Sequence, residues 1–244
     1  MRNTVRQELV ARQLDEQIGT LFPVGQQLRV LDVGVGQGTQ AMRLARIGHE
    51  VTGLESDPAM LAAVRGALEG EPRFVRERFR LVQGDGRDTG AHFLPGAFDV
   101  VLCHGVLMYV PEPEPMLAGL TRVLAPGGLL SLVVRNADAL ALRPGLAGDW
   151  AGALAAFDSP DYTNRLGLTA RADRCQDLVT TLAGIGAPVR EWYGVRLFSD
   201  GAADGTVPPT ADELAALLAA EERAGRTDPY RTVAALLHLC GVRQ

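Results

Sequence analysis

The stretch Leu28-Arg-Val-Leu-Asp-Val-Gly-Val-Gly-Gln-Gly-Thr39 constrains this chain more than any other. A short apolar run enters three glycines at alternate positions, Gly34, Gly36 and Gly38, and a helix-forming segment follows at once. Glycines at such a junction let the backbone turn sharply and approach a ligand closely. A second apolar run, Val51-Thr-Gly-Leu-Glu55, closes on an acid, at about the twenty-residue spacing where a carboxylate accepts ribose hydroxyls. The pattern predicts a nucleotide site at the carboxyl end of a parallel sheet. In the dinucleotide fingerprint the third glycine falls one residue later, where this chain has Thr39. A tight strand-to-helix turn without a ligand is the plainer alternative.

The remaining pattern supplies the sheet. Val5, Leu9, Leu14, Ile18 and Leu21 recur at helical spacing and predict a helix over 1–21, stopped by Pro23 and Gly25. Apolar runs predict strands at 28–33, 50–54, 79–82, 98–103 and 129–134. Between them, helices are expected from Thr39 to Gly48, from Pro58 to about Leu68 after the Ser56-Asp57 start signal, and from the 111–115 prolines to Leu124. Strands alternating with helices imply an α/β doubly wound, mostly parallel, Rossmann-like sheet. Beyond Arg135 the pattern loosens into an Ala/Gly-rich segment with Trp150 and two proline turns. It reads as a lid-like insertion, 136–170, over the active edge of the sheet. A helix from Arg171 to Leu182, an extended run at 187–198, a helix at 212–222 and a last strand at 236–242 follow. One domain is expected over 1–244, with 1–25 as its N-terminal helical segment.

Composition narrows the function. No apolar run approaches the roughly 20 residues of a membrane span, and the polar N-terminus lacks a signal-peptide core, so a cytoplasmic protein with no membrane partner is expected. Cys103, Cys175 and Cys240 stand far apart, which argues against a disulfide framework or a zinc site. No metal is expected. The net charge of −5 offers no global case for nucleic-acid binding. All 24 basic residues are arginine, so any anion is gripped by planar guanidinium forks.

Several motifs fall in order at the carboxyl ends of successive strands: Val30-Leu-Asp-Val-Gly-Val-Gly-Gln-Gly38, Val51-Thr-Gly-Leu-Glu55, Gly84-Asp-Gly86, Phe98-Asp-Val-Val-Leu-Cys-His104 and Leu124-Ala-Pro-Gly-Gly-Leu-Leu130. Through them the chain resembles the class I S-adenosylmethionine (SAM) methyltransferases. The resemblance implies a seven-stranded sheet with an antiparallel last strand, SAM as methyl donor and S-adenosylhomocysteine as product. It further implies that Asp32, Gly34, Val35, Gly36 and Gly38 bind SAM, with Gly34, Val35 and Gly36 passing close to its methionine part. Glu55 would take the ribose, and Asp85, Gly86 and Arg87 would border the adenine. His104 would face both the methionine end and the acceptor.

Outside that core, Arg2-Asn-Thr-Val-Arg6-Gln-Glu-Leu, Ser131-Leu-Val-Val-Arg-Asn136-Ala, Ala147-Gly-Asp-Trp150, Gly194-Val-Arg-Leu-Phe-Ser-Asp200 and Asp228-Pro-Tyr-Arg231 are similar to the tRNA 5-carboxymethoxyuridine methyltransferases. That family esterifies the carboxylate of a modified wobble uridine. The resemblance implies that Arg6 folds back onto the SAM carboxylate, a charge-assisted contact. Arg196 is the candidate for positioning the acceptor carboxylate. Trp150, Trp192 and Tyr193 are candidates for stacking on a splayed base. Arg73, Arg76, Arg78 and Arg80 form either a solvated edge or a phosphate contact. Such chemistry needs little acid–base machinery, because a carboxylate is already a nucleophile and the enzyme must only desolvate and align it. Pro160-Asp-Tyr-Thr-Asn-Arg165 keeps only part of the family pattern, and no basic tail is present. The acceptor therefore stays open between a tRNA anticodon loop and a small-molecule metabolite. A non-catalytic or NAD-binding Rossmann protein is the third reading, against which the missing glycine at position 39 and the Pro126-Gly-Gly128 turn both count.

Overall fold

The computed structural model describes residues 1–164, 167–201 and 209–244. Seven strands form one sheet: β1 (Arg29–Val33), β2 (Glu50–Glu55), β3 (Phe79–Gln83), β4 (Phe98–His104), β5 (Leu124–Arg135), β6 (Val189–Val195) and β7 (Leu236–Val242). Their order is β3-β2-β1-β4-β5-β7-β6. The first five pair in parallel, and β7 runs antiparallel to both β5 and β6. Val30, Leu31 and Val33 of β1 and Val100, Val101, Leu102 and Cys103 of β4 are buried. Such continuous apolar runs mark strands covered on both faces. Chain order reverses between β1 and β4, and the crevice at their carboxyl ends is where open sheets of this kind bind ligands.

Helices flank the sheet or lie in the segment after β5: α1 (Arg2–Leu21), α2 (Thr39–Arg46), α3 (Pro58–Glu69) and α4 (Pro113–Val123), then α5 (Leu142–Leu146) and α6 (Trp150–Asp158), which pack on each other, and α7 (Cys175–Gly184) and α8 (Ala211–Ala224). α3 starts as its sequence dictates, with Pro58 in the first turn and the Asp57 carboxylate accepting from the Ala59 N–H. α1 buries Val5, Leu9 and Val10 against Val133, Val195 and Leu218. Among the described residues, no helix is long and apolar enough to cross a membrane.

The local differences from the sequence expectations have visible causes. The arginine-rich run before β3 first makes a short helix, Arg73–Glu77, behind Pro72, with Arg73 and Glu77 paired one turn apart at 2.7 Å. β5 begins at Leu124 rather than after the Pro126-Gly-Gly128 turn. The Gly127 N–H donates to the Arg243 carbonyl, and the irregularity is absorbed in the register between Phe98 and Val100. The segment after Arg135 is more ordered than its composition suggests, with α5, α6 and a hairpin of Asp161–Thr163 with Thr169–Arg171. Positions 165 and 166 of that segment, Arg165 included, lie outside the described residues. The helix expected from Arg171 starts at Cys175 instead. The Ala172 N–H donates to the Pro160 carbonyl and the Asp173 N–H to the Arg135 carbonyl, which keeps those residues extended.

Candidate active site

A cavity of about 260 Å³ opens at the carboxyl end of β1. Asp32, Gly34, Val35, Gly36, Gly38, His104 and Arg6 of α1 all line it. Gly34, Gly36 and Gly38 have φ of 67°, 53° and 72°, a left-handed path that only glycine takes without strain. The loop is held from β2. The Leu54 carbonyl accepts from the N–H groups of Gly34 and Val35 at 2.8 and 3.2 Å. Glu55 Oε2 accepts from Gly36 N–H at 3.0 Å, and Oε1 accepts from Ser56 and Asp57 N–H at 2.9 and 3.0 Å. Glu55 is thus buried behind the glycine loop, outside the cavity lining, with three of its acceptor positions committed to backbone.

Asp32 carries the electrostatic signature of the site. Burial, and then the charge of Glu55, push its carboxyl up to about 7. A cationic ligand beside it would draw that value back down. His104 is held neutral, well below its usual 6.5, by burial and then by His238, Arg6 and Arg43. Asp85, Gly86 and Arg87 sit apart from the cavity wall. The Asp85 carboxylate caps the following turn and pairs with the Arg87 guanidinium at 2.6 Å. Gly86 is packed so closely that a Cβ would lie 2.5 Å from Val33 Cγ1.

A second, larger cavity of about 1110 Å³ adjoins the first. Asn3, Arg6 and Val133 belong to both walls. Its lining includes five arginines, Arg2, Arg6, Arg135, Arg143 and Arg196, with Tyr109 and Tyr162 beside them. The Tyr109 hydroxyl accepts from Asn164 Nδ2 at 3.0 Å, and the Arg135 guanidinium lies over the Tyr162 ring at 5.8 Å. Arg135 and Arg196 share one buried carboxylate, Asp200. Nε of each is buried without a hydrogen-bond partner among the described residues. Arg196 has φ of 63°, the only positive value at a non-glycine among the described residues. The cause is the turn that follows it. Buried Glu221 of α8 accepts from the N–H groups of Leu197, Phe198 and Ser199 at 2.7, 3.1 and 2.7 Å and from the Ser199 hydroxyl at 2.6 Å.

The aromatic candidates divide. Tyr193 is corrected by the structure: it is 1 % exposed, its hydroxyl accepts from Gln17 Nε2 at 2.6 Å, and it packs in the core. Tyr193 lies on β6 with its side chain turned inward, so it cannot stack on an acceptor. Trp192 is covered by the Arg231 guanidinium at 4.1 Å. Trp150 is 70 % exposed at the start of α6, whose residues Gly152, Ala155 and Ala156 line the larger cavity. Sequence reasoning passed over Asn3, Tyr109, Arg135, Arg143, Tyr162 and Glu221. Arg135 was findable, since it ends a strand on the ligand edge. The others come from loops and the insertion, which periodicity does not position.

A seven-stranded sheet in this order, with a glycine loop and a buried acid at its switch point, defines a nucleotide-dependent transferase scaffold. The chain belongs to the class I SAM-dependent methyltransferases. Residues 31–132 match the family described as methyltransferase domain. The chain is 30% identical over 245 residues to tRNA 5-carboxymethoxyuridine methyltransferase of Escherichia coli (strain K12), covering 98% of this chain and 88% of that protein. Its fold is similar to a SAM-dependent methyltransferase from Mesorhizobium loti (TM-score 0.63, 18% identity, 93% and 96% of the two chains). It is also similar to the glycopeptide N-methyltransferase MtfA complexed with S-adenosylhomocysteine (TM-score 0.61, 19% identity, 98% and 90%). The residues present fit the donor. A buried acid raised to about 7 faces a cavity, and a sulfonium with an ammonium supplies the missing positive charge. Among the described residues no group of acids, histidines and cysteines is placed to hold a metal ion.

Proposed function

We propose that the enzyme methylates a carboxylate on a tRNA nucleoside, the 5-carboxymethoxyuridine of the wobble position. The observation that carries this reading is the arginine excess in the larger cavity. Two half-buried guanidiniums share the carboxylate of Asp200, and among the described residues each keeps an unpartnered Nε. Burial lowers the pKa of Arg196, with Arg135 and Arg6 adding to the effect. An anionic acceptor relieves that arrangement. The 30% relative, whose name gives that nucleoside as substrate, agrees with it.

SAM supplies an electrophilic methyl group on a positively charged sulfur. The acceptor carboxylate oxygen forms the new O–CH₃ bond as the S–CH₃ bond breaks. The sulfur keeps the bonding pair, and no proton moves. The protein's work is placement and water exclusion. On this reading Asp32, the glycine loop and Glu55 hold the donor, and Arg6 at the shared wall of the two cavities holds its carboxylate. Arg196 and Arg135 fix the acceptor carboxylate, while Tyr109, Tyr162 and exposed Trp150 offer rings to a splayed base. Asp85 and Arg87 remain candidates for the adenine side. The insertion acts as the lid of this one-domain enzyme.

Nucleoside mass spectrometry of tRNA from a deletion strain tests the proposal. The expected result is loss of the methyl ester with accumulation of the free acid. Unchanged wobble uridines would sink it. The second reading, a small carboxylate metabolite, is favoured by the net charge of −5 and by a cavity of about 1110 Å³, large enough to enclose a whole small ligand. It takes over if the tRNA is unchanged.

A further inference from the structure

Behind His104 lies a line of polar groups that methyl transfer itself does not use. Ser131 of β5 and His238 of β7 are fully buried, and Gln13 of α1 is 1 % exposed. Ser131 and His238 are each flanked by leucines, where an unbonded polar group opposes folding. They are joined end to end. His104 Nε2 lies 2.8 Å from Ser131 Oγ, Ser131 Oγ 2.8 Å from His238 Nε2, and His238 Nδ1 2.8 Å from Gln13 Oε1. One chain therefore crosses three adjacent strands, from the N-terminal helix to the wall of the donor cavity.

The chemistry of its far end sets its polarity. Gln13 is placed with its amide oxygen toward the ring and its Nε2 buried without a partner among the described residues; an amide oxygen only accepts, so in this orientation His238 Nδ1 carries the hydrogen and donates to Gln13. His238 Nε2 then has a lone pair, which accepts the Ser131 hydroxyl, and the Cys240 thiol lies 3.5 Å from the same nitrogen. Ser131 Oγ is left to accept from His104 Nε2–H. The remaining ring nitrogen of His104, Nδ1, has no partner among the described residues and is not among the sealed, unbonded atoms. On a ring that lines the donor cavity, it is the nitrogen that the relay leaves open to a ligand.

We propose that Gln13, His238 and Ser131 are positioning residues that fix His104 as the Nε2–H tautomer, so that its Nδ1 lone pair accepts a hydrogen bond from the ammonium group of the methyl donor. This rests on the reading of the smaller cavity as the donor site. The surroundings keep the pair neutral. His238 is lowered to about 3 by burial. Arg6 of α1, Arg43 of α2 and His238 of β7 all oppose a charge on His104. Around His238 the titratable neighbours are the Tyr193 ring at 5.8 Å, the His104 ring at 5.9 Å and the Cys240 thiol. Because Gln13 and Arg6 share α1, seating of that helix sets both the lone pair and the guanidinium that face the donor's amino-acid end.

Two measurements test this. The chain has four histidines, so two-bond ¹H–¹⁵N spectra of the full-length protein resolve each tautomer, with single His→Gln variants for assignment. His104 is expected to be neutral with Nε2 protonated, and its Nδ1 signal should move when S-adenosylhomocysteine is added. A His104 carrying its proton on Nδ1 would overturn the proposal. Calorimetry then compares S-adenosylhomocysteine with methylthioadenosine, which has no amino-acid portion. Gln13→Leu and His238→Ala should weaken S-adenosylhomocysteine by about ten-fold, the scale of one charge-assisted hydrogen bond, and leave methylthioadenosine unchanged. Equal weakening of both would reduce the chain to packing and overturn it. Failure of the wild-type protein to bind S-adenosylhomocysteine at all would remove the donor-site reading as well.

Discussion

Asp32 shows how one residue can oppose folding and serve binding. Its carboxyl rises from 3.8 to about 7 in the folded protein. The native state thus binds this proton more tightly than the unfolded chain does. Its contribution to stability is fully present below pH 3.8 and is lost as pH rises through about 7. At about 1.4 kcal/mol per pH unit, the cost at pH 8 is on the order of 4 kcal/mol. Asp32→Asn is therefore expected to melt higher than wild type at pH 8 without ligand, with a gap that closes toward pH 4. The same variant should lose most of the thermal stabilisation that SAM gives. Parallel melting curves across pH, read by scanning fluorimetry, would refute the assignment. Glu55 makes the complementary case. Glu55→Ala removes three backbone hydrogen bonds and should destabilise the protein by about 1–3 kcal/mol while weakening SAM. A variant that melts like wild type would show that the carboxylate serves the ribose alone. The acid at position 55 was legible because strand ends and glycine spacing are written in sequence. Its first task, stitching the loop, was not, because backbone partners in that loop are set by tertiary contact.

At the level of elements, the parallel strands were readable since each is a continuous apolar run. The insertion was not, because α5 and α6 are short and Ala-rich and have no clean period. Tyr193 misled for a related reason. A strand residue points inward or outward by register, and β6 takes its register from β7, far away in sequence. The glycine loop offers a graded test. An added Cβ at Gly36 would meet nothing closer than the Gly34 carbonyl at 3.8 Å, whereas at Gly34 it would lie 2.4 Å from Val106 Cγ2. Gly36→Ala should cost about 1 kcal/mol, from the left-handed backbone alone. Gly34→Ala should cost about 3 kcal/mol, with the excess recovered by adding Val106→Ala. Equal costs in denaturant titrations would contradict this packing. The turn after Arg196 offers another. Glu221→Gln keeps only one accepting oxygen for four donors. It should raise KM for the acceptor and leave the Kd of S-adenosylhomocysteine unchanged. Equal loss in both would mean that Glu221 supports the fold without aiming Arg196.

For the whole molecule, the question is how a protein of net charge −5 would hold an RNA. Non-specific grip on nucleic acid comes from releasing counterions, and it scales with the number of phosphates neutralised. Five of the 24 arginines line the larger cavity, where Arg135 and Arg196 share Asp200. Arg143 is the exposed arginine of that cavity, and its side chain has no hydrogen-bond or ion-pair partner among the described residues. On the proposed function, recognition thus rests on the splayed nucleotide with few phosphate contacts. Binding of an anticodon stem-loop should accordingly show a shallow salt dependence, with a log–log slope of about −2. Arg143→Ala should reduce that slope by about 0.7, the value of one single-strand phosphate contact, while Arg196→Ala abolishes methylation with little change in slope. Fluorescence anisotropy at graded salt measures both. A slope several times steeper would reveal a phosphate-binding face outside the cavity. The absence of any stem-loop binding, with turnover retained on a small carboxylate, would move the acceptor to the metabolite reading without disturbing the donor site.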